Sequence, residues 1–296
     1  MKEVIMPIIK SFFLNNIQVK IYENRQEMGR GAAIEVADRL RKLLAAKEEV
    51  NMVFAAAPSQ NEFLEALCSQ PGIVWERVNA FHMDEYIGLG ADAKQSFVHY
   101  LNTHVMEKLP FRKFYAIHGD NPDSVAECKR YESLLKDRHV DIVCLGIGEN
   151  GHIAFNDPHE AYFFDEKLVK IVCLDEKCRR QQINDRCFDR IEDVPKRAIT
   201  LTVPALAKGD YLFCTVPSKF KAEAVKNTLL GEIRNDYPAT ALRLHKNIRL
   251  YCDIDSAAYL LEPNEQLGLS SRSDIAADPP FANATEFPFY DKKTVV

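Results

Sequence analysis

The 296-residue chain lacks a long apolar run. Near the N-terminus, Ile5, Ile8, Ile9, Phe12, Phe13 and Leu14 share the segment with Glu3, Pro7 and Lys10, and no small-residue cleavage site follows. Neither a signal peptide nor a membrane span is expected, and the cytoplasm is the expected compartment. The chain also lacks a basic excess. Its 38 Lys and Arg are scattered and face 43 Asp and Glu, for a net charge of −5. That argues against a nucleic-acid or anionic-membrane partner. Cysteine is present at eight positions, but no pair forms Cys-x-x-Cys. Cys173, Cys178 and Cys187 are close in sequence without zinc-site spacing, so no metal is expected and free thiols are. Cys144, Cys173 and Cys214 sit in apolar runs and are expected to be buried. There is no internal repeat.

What is present is an ordinary globular composition, 47% hydrophobic and 27% charged, in a chain long enough to bury a substantial core. Apolar strand-like segments alternate with amphipathic helix-like ones. Strands are expected at Ile17–Tyr22, Met52–Ala57, Val74–Phe81, Phe114–Ile117, Val140–Leu145, Val169–Leu174, Ile199–Val203, Leu212–Val216 and Ile248–Cys252. Helices are expected over Arg25–Lys47, from a Ser59 cap with Glu62 closing a capping box to Cys68, and over Lys94–Val105, Pro122–Leu135 and Ser218–Leu230. A polar helix should follow Leu174. The pattern predicts an α/β fold: a Rossmann-like, doubly wound, mostly parallel sheet with helices on both faces. It is read as one domain over 17–262, with an N-terminal extension (1–16) and a C-terminal one (263–296) rich in Ser, Asp, Pro and Ala.

Gly146, Gly148 and Gly151 spell Gly-x-Gly-x-x-Gly after a buried strand, the dinucleotide fingerprint. The context does not fit. The chain continues His-Ile-Ala-Phe-Asn-Asp-Pro, which cannot hold a long helix past Asn156. The glycines instead let backbone amides approach a ligand. No cofactor is expected.

Three loops fall where strands of such a sheet end, the place where α/β sheets bind ligands. Ala55–Gln60 can hold an anion on helix-terminal N–H groups, or can be a plain cap. His82-Met83-Asp84-Glu85-Tyr86 puts two adjacent acids at a strand end, one of which can serve as a base. Asn150, His152 and Asp157 form a third group, able to shuttle a proton near neutral pH or to be merely structural. Lys221, Arg179, Arg180 and Arg186 are cations that can meet a phosphate or simply face solvent.

These residues are recognisable together. Met83 to Leu89, Gly146 to Pro158, Val194-Pro195-Lys196 with Ala198 to Leu201, and Pro238-Ala239 with Leu242 and Leu244-His245 resemble the glucosamine-6-phosphate deaminase (isomerase) family. The likeness runs from about Val19 to Asp255. The sister 6-phosphogluconolactonases typically continue Thr-Ala-Ser-Leu-Phe-Pro after the motif histidine, whereas this chain has Ile-Ala-Phe-Asn-Asp-Pro. The resemblance implies ring opening of a hexosamine phosphate, deprotonation at C2, an enolamine, and loss of ammonia. It implies Asp84 as the C2 base and His152 as the ring-opening histidine, with Asn150 and Asp157 beside it. It implies Lys221 and Arg186 as phosphate ligands, with Arg180 a rival, and substrate contacts from Ala57, Ser59, Gln60, Glu85, Gly148 and Gly151. It also implies a lid somewhere in His159–Asp189, and it is compatible with a homo-oligomer.

The chain departs from the family pattern where that pattern has Asp at Asn150 and Glu at Asp157. Asn150 cannot supply charge to an imidazolium, so a less basic His152 is expected, with Glu149 a candidate for the missing charge. Its Ala-Pro-Ser-Gln loop replaces a Gly-Ser or Gly-Thr type. Galactosamine 6-phosphate therefore stands beside glucosamine 6-phosphate as substrate. A 6-phosphogluconolactonase-type hydrolase and a non-catalytic phosphosugar sensor are the alternatives.

Overall fold

A computed structural model describes residues 8–261. The C-terminal extension read from the sequence lies outside these residues. The elements, in chain order, are β1 (Ile8–Leu14), β2 (Ile17–Tyr22), α1 (Arg25–Ala46), β3 (Val50–Phe54), α2 (Asn61–Cys68), β4 (Val78–His82), β5 (Asp84–Tyr86), α3 (Phe97–Leu101), β6 (Lys113–Tyr115), α4 (Ser124–Lys136), β7 (Ile142–Leu145), β8 (Val169–Cys173), α5 (Glu176–Asn184), β9 (Arg197–Leu201), α6 (Val203–Ala207), β10 (Tyr211–Val216), α7 (Ala222–Leu230), β11 (Ile248–Asp253) and α8 (Ala258–Leu261).

Eight strands form the main sheet in the order β1-β2-β11-β10-β7-β3-β4-β6. Every neighbouring pair is parallel except β1 with β2. Side chains alternate across it, as a pleat requires. Met52 and Phe54 enter one core with Met28, Val36 and Leu40 of α1 and Phe63 and Leu67 of α2. Val53 enters the other with Tyr131 of α4, Leu206 of α6 and Val225 of α7. Both faces are covered, so the doubly wound, mostly parallel architecture is observed.

Several local expectations change. The strands at Val169–Cys173 and Arg197–Leu201 leave the main sheet and, with β5, form a separate antiparallel sheet in the order β5-β9-β8. Periodicity reports that a strand is half-buried, not which sheet it joins. Ile8–Leu14, read within an extension, pairs antiparallel with β2 and closes one edge of the main sheet. Cys173 is exposed rather than buried, because it ends β8 at the edge of the small sheet.

The Lys94–Val105 helix is shorter than expected. Glu85 and Ser96 hold its start at Phe97, and a π-helical turn over Asn102–Met106 completes it. Among the described residues, no helix is long and apolar enough to cross a membrane.

Candidate active site

Four consecutive strands of the main sheet, β10-β7-β3-β4, end on one cleft of about 670 Å³. The loop after β3 brings Ala57, Ser59 and Gln60. The link from β4 to β5 brings Met83, and the start of β5 brings Asp84. The loop after β7 brings Gly146, Gly148 and His152, and the turn after β10 brings Lys221. The segment after α5 adds Arg186, Cys187, Phe188 and Asp189 from the far side. This is the carboxyl-end crevice that a doubly wound sheet offers to ligands.

Asp84 and Glu85 are adjacent but part company, because successive residues of β5 face opposite ways. Asp84 lines the cleft, and burial, followed by the charge of Glu85, raises its pKa well above the usual aspartate value. Glu85 turns into the protein and accepts from the amides of Tyr86 (2.8 Å), Phe97 (3.1 Å) and Val98 (2.9 Å). It therefore caps α3, and its expected substrate contact is corrected: the residues lining the cleft do not include it. Burial pushes its carboxyl up to about 7, against three amide bonds that favour the ionised form.

The Gly-x-Gly-x-x-Gly segment passes through turns and a bridge between Ile153 and Asn156 rather than opening a helix. A Cβ on Gly148 would overlap the His152 ring, so that position must be bare for the imidazole to sit where it does. Gly151 has φ +85°, a conformation only glycine adopts without strain, and it does not line the cleft. Its amide donates to Gly148 O (3.0 Å).

Behind His152 lies a buried polar group. Nδ1 of His152 is 2.7 Å from Asn150 Oδ1 and 3.3 Å from Asp157 Oδ1. Asn150 Nδ2 donates to Asp157 Oδ1 (2.9 Å) and Asp175 Oδ2 (2.9 Å). Burial would raise the pKa of Asp157. The contacts of its carboxylate with His152, with the amide of Asp175 and with Asn150 bring it below the usual value instead. The charge facing His152 is thus that of Asp157. Glu149, the expected candidate, accepts from Asn184 Nδ2 (3.1 Å) and does not meet the ring.

Parts of the cleft are built from strained backbone. Three of the four non-glycine residues with positive φ among the described residues border it: Ala154 and Arg186 line the cleft, and Ser218 opens the turn that carries Lys221. Lys221 is 4% exposed, and its burial lowers its pKa, with Asp185 and Glu149 opposing. Of the two rival arginines, Arg186 lines the cleft. Arg180 is exposed on α5 and pairs with Glu176 one turn away, so its expected place at the site is corrected.

Ser59 does not cap α2. It accepts from Gln60 Nε2 (3.2 Å) within a short 3₁₀ turn, and Glu62 pairs with Arg25 Nε (2.7 Å) rather than closing a capping box. Gln60 is committed to the scaffold through Thr215 Oγ1 (2.8 Å). Sequence reasoning missed Lys94, Tyr100 and Gln181, all of which line the cleft. They arrive from separate helices and loops, and no local pattern marks them.

Among the described residues, two groups have ligand atoms close enough for a metal, within 4.8 Å: His152, Asp157 and Cys178, and His139, Asp141 and Asp210. In the first, Nδ1 is already committed to Asn150. In the second, Lys47 lies against both carboxylates.

Comparison with known proteins agrees with this fold. The family described as glucosamine-6-phosphate isomerases/6-phosphogluconolactonase matches residues 23–251. A glucosamine-6-phosphate deaminase of Bacillus cereus (strain B4264) is 36% identical over 204 residues, 68% of this chain and 76% of that protein. One from Listeria innocua serovar 6a is 33% identical over 212 residues, 72% of this chain and 88% of that protein. The solved structure of a monomeric glucosamine-6-phosphate deaminase superposes with a TM-score of 0.75 at 30% identity, covering 81% of this chain and 98% of the other.

Proposed function

The chain belongs to the family of glucosamine-6-phosphate isomerases and 6-phosphogluconolactonases, and on that premise we propose that it converts glucosamine 6-phosphate and water to fructose 6-phosphate and ammonia. The observation that carries this reading is the shared cleft. Asp84 and His152 face it beside two cations, Lys221 and Arg186.

In this reading the sugar phosphate enters phosphate first. Lys221 and Arg186 take its charge, and Ser59 lines the end of β3 beside them. A dianion offsets the desolvation that Lys221 suffers when the cleft is empty. The far end of the sugar then lies among Asp84, Gly148 and His152. His152 moves the proton between the ring oxygen and the C1 hydroxyl as the pyranose opens to the aldehyde.

The C2 hydrogen of that aldehyde is acidic, because its electron pair can spread onto the C1 carbonyl. Asp84 removes it, and an enolamine forms. Burial suits Asp84 to this task, since a carboxylate of raised pKa is a stronger base once ionised. The proton returns at C1, the C2 amine becomes an imine, and water adds there. Ammonia leaves and the ketose remains. The departures at Asn150 and Asp157 keep galactosamine 6-phosphate as a competing substrate.

The test is ammonia release and ketose formation by the purified protein, offered glucosamine 6-phosphate and galactosamine 6-phosphate in parallel. Run in deuterium oxide, the reaction should place solvent deuterium at C1 of the product. Hydrolysis of 6-phosphogluconolactone with no ammonia from either amino sugar would overturn the reading, because lactone hydrolysis exchanges no carbon-bound hydrogen.

A further inference from the structure

Asn150 is held from three sides. Both N–H bonds of its amide are spent on carboxylates, Asp157 and Asp175. Its Oδ1 accepts from the backbone N–H of His152 at 3.1 Å. Turning the amide over would aim its oxygen at two carboxylates and its NH2 at a backbone donor. Every one of those contacts would be repulsive, in a place where an unmade hydrogen bond is costly. The orientation is therefore fixed, and it dictates the state of the ring beside it. Oδ1 can only accept, so the ring nitrogen at 2.7 Å, Nδ1, must carry a proton. In the neutral imidazole, Nε2 is then the bare nitrogen available to the cleft.

One member of this arrangement lies outside every motif the sequence displays. Asp175 ends the link after β8. Its Oδ1 accepts from Cys178 N and caps α5 (2.6 Å). Its Oδ2 accepts from Asn150, and its own amide donates to Asp157 Oδ2 (2.9 Å). A carboxylate at position 150 would have no proton to offer either acid, so Asn150 and Asp175 are a matched pair.

We propose that Asp175 is a positioning residue for His152: through the Asn150 amide it holds the imidazole in the Nδ1–H form, with Nε2 ready to accept a proton in the cleft. The identity of the group giving up that proton, a sugar hydroxyl, rests on the deaminase reading; the tautomer does not. The same carboxylate starts α5, and the chain beyond α5 carries Arg186 into the cleft. The proton-transfer and anion-binding sides of the site are thus tied at one residue.

Asp175→Asn isolates the effect. Its Oδ1 still caps α5, since Asn is as good an N-cap as Asp. Its NH2, in place of Oδ2, faces the NH2 of Asn150 and removes one of the three contacts that hold that amide, which raises the share of the Nε2–H form of His152. The first readout is nitrogen-15 NMR of the His152 ring in the ligand-free protein. The wild type should show Nδ1 protonated and Nε2 bare, and Asp175→Asn a shift toward the Nε2–H form. The second is the split of kinetic constants: kcat should fall about tenfold to a hundredfold with KM little changed. Adding Asn150→Asp to that variant gives the new amide at 175 and Nδ1 an acceptor, but sets two carboxylates together at 150 and 157, so it should recover part of the loss.

An Nε2–H ring in the wild type would overturn the proposal, and so would an unchanged ring in Asp175→Asn. A kcat loss that the double variant does not relieve would reduce Asp175 to a helix cap. Should Asp175→Asn fail to fold, the ring state of the wild type still decides. If the wild type shows the expected ring but releases no ammonia, the deaminase reading falls and the positioning role stands.

Discussion

Gly148 packs its bare α-carbon against the imidazole of His152, and its amide donates to the His152 carbonyl at 2.9 Å. The turn that exposes the histidine is closed by the same residue that leaves room for its ring. A Cβ added at Gly148 would overlap Cε1, Nδ1 and Nε2 together. Gly148 is not at a positive φ, so alanine there meets a steric obstacle and no backbone one. Gly148→Ala should therefore fold and displace the ring. A misplacement of about 1 Å costs on the order of a hundredfold in rate. Steady-state kinetics should show that loss in kcat, with a melting temperature near that of the wild type. A full-rate variant would mean that the ring position is not used.

Asp84→Asn keeps the shape of the side chain and removes the base. Turnover should fall by about a thousandfold or more, while binding of inorganic phosphate, monitored by calorimetry, stays close to wild type. The pH dependence follows from the same residue. The base acts as the carboxylate, and burial together with Glu85 holds Asp84 above the ordinary aspartate range. The acid limb of kcat/KM should lie above about pH 4, the ordinary aspartate value, and rise toward neutrality. A limb at the ordinary value would show that Asp84 is not desolvated in the working enzyme.

Much of this was legible in the sequence, and the illegible part has physical causes. The alternation of apolar strands with amphipathic helices specified a covered parallel sheet, because burial on both faces leaves strands such as Ile142–Leu145 entirely apolar. It could not assign Val169–Cys173 to the small sheet, since a half-buried strand has the same pattern in either. That Asp84 and His152 line the cleft was legible because they sit beside strand ends, where short-range sequence order and spatial proximity coincide. Asp175 and Lys94 were not, because they reach the site from elements distant in the chain. Glu85 was misread for the opposite reason: it is next to Asp84 in sequence, yet the strand pleat turns it away.

The two arginines give a sharp contrast. Arg186 lines the cleft with a strained backbone, whereas Arg180 is paired with Glu176 on an exposed helical face. Arg186→Ala should raise KM for the sugar phosphate about tenfold or more, the loss of a charge-assisted contact worth about 1.5–3 kcal/mol. Arg180→Ala removes an exposed i,i+4 pair worth about 0.3–0.5 kcal/mol and should leave KM unchanged. Equal effects from the two substitutions would deny Arg186 a role in binding.

Glu85 should reveal itself in stability rather than in rate. Its carboxyl is pushed to about 7 from 4.5 by burial, against the amide bonds from Val98, Phe97 and Tyr86. The folded protein therefore keeps a proton that the unfolded chain releases between about pH 4.5 and 7. Where the native state binds more protons, stability falls as pH rises. Glu85 alone should lower it by up to about 3 kcal/mol across that window. Glu85→Gln removes the titration. It keeps one oxygen for the amides of Tyr86 and Phe97, loses the acceptor for Val98, and should cost about 1 kcal/mol at low pH, a typical cap loss. Urea unfolding at pH 5 and pH 7.5 should then show the wild type the more stable at the lower pH and the variant the more stable at the higher. A constant gap would mean that the three amide hydrogen bonds, rather than burial, decide the charge state of Glu85.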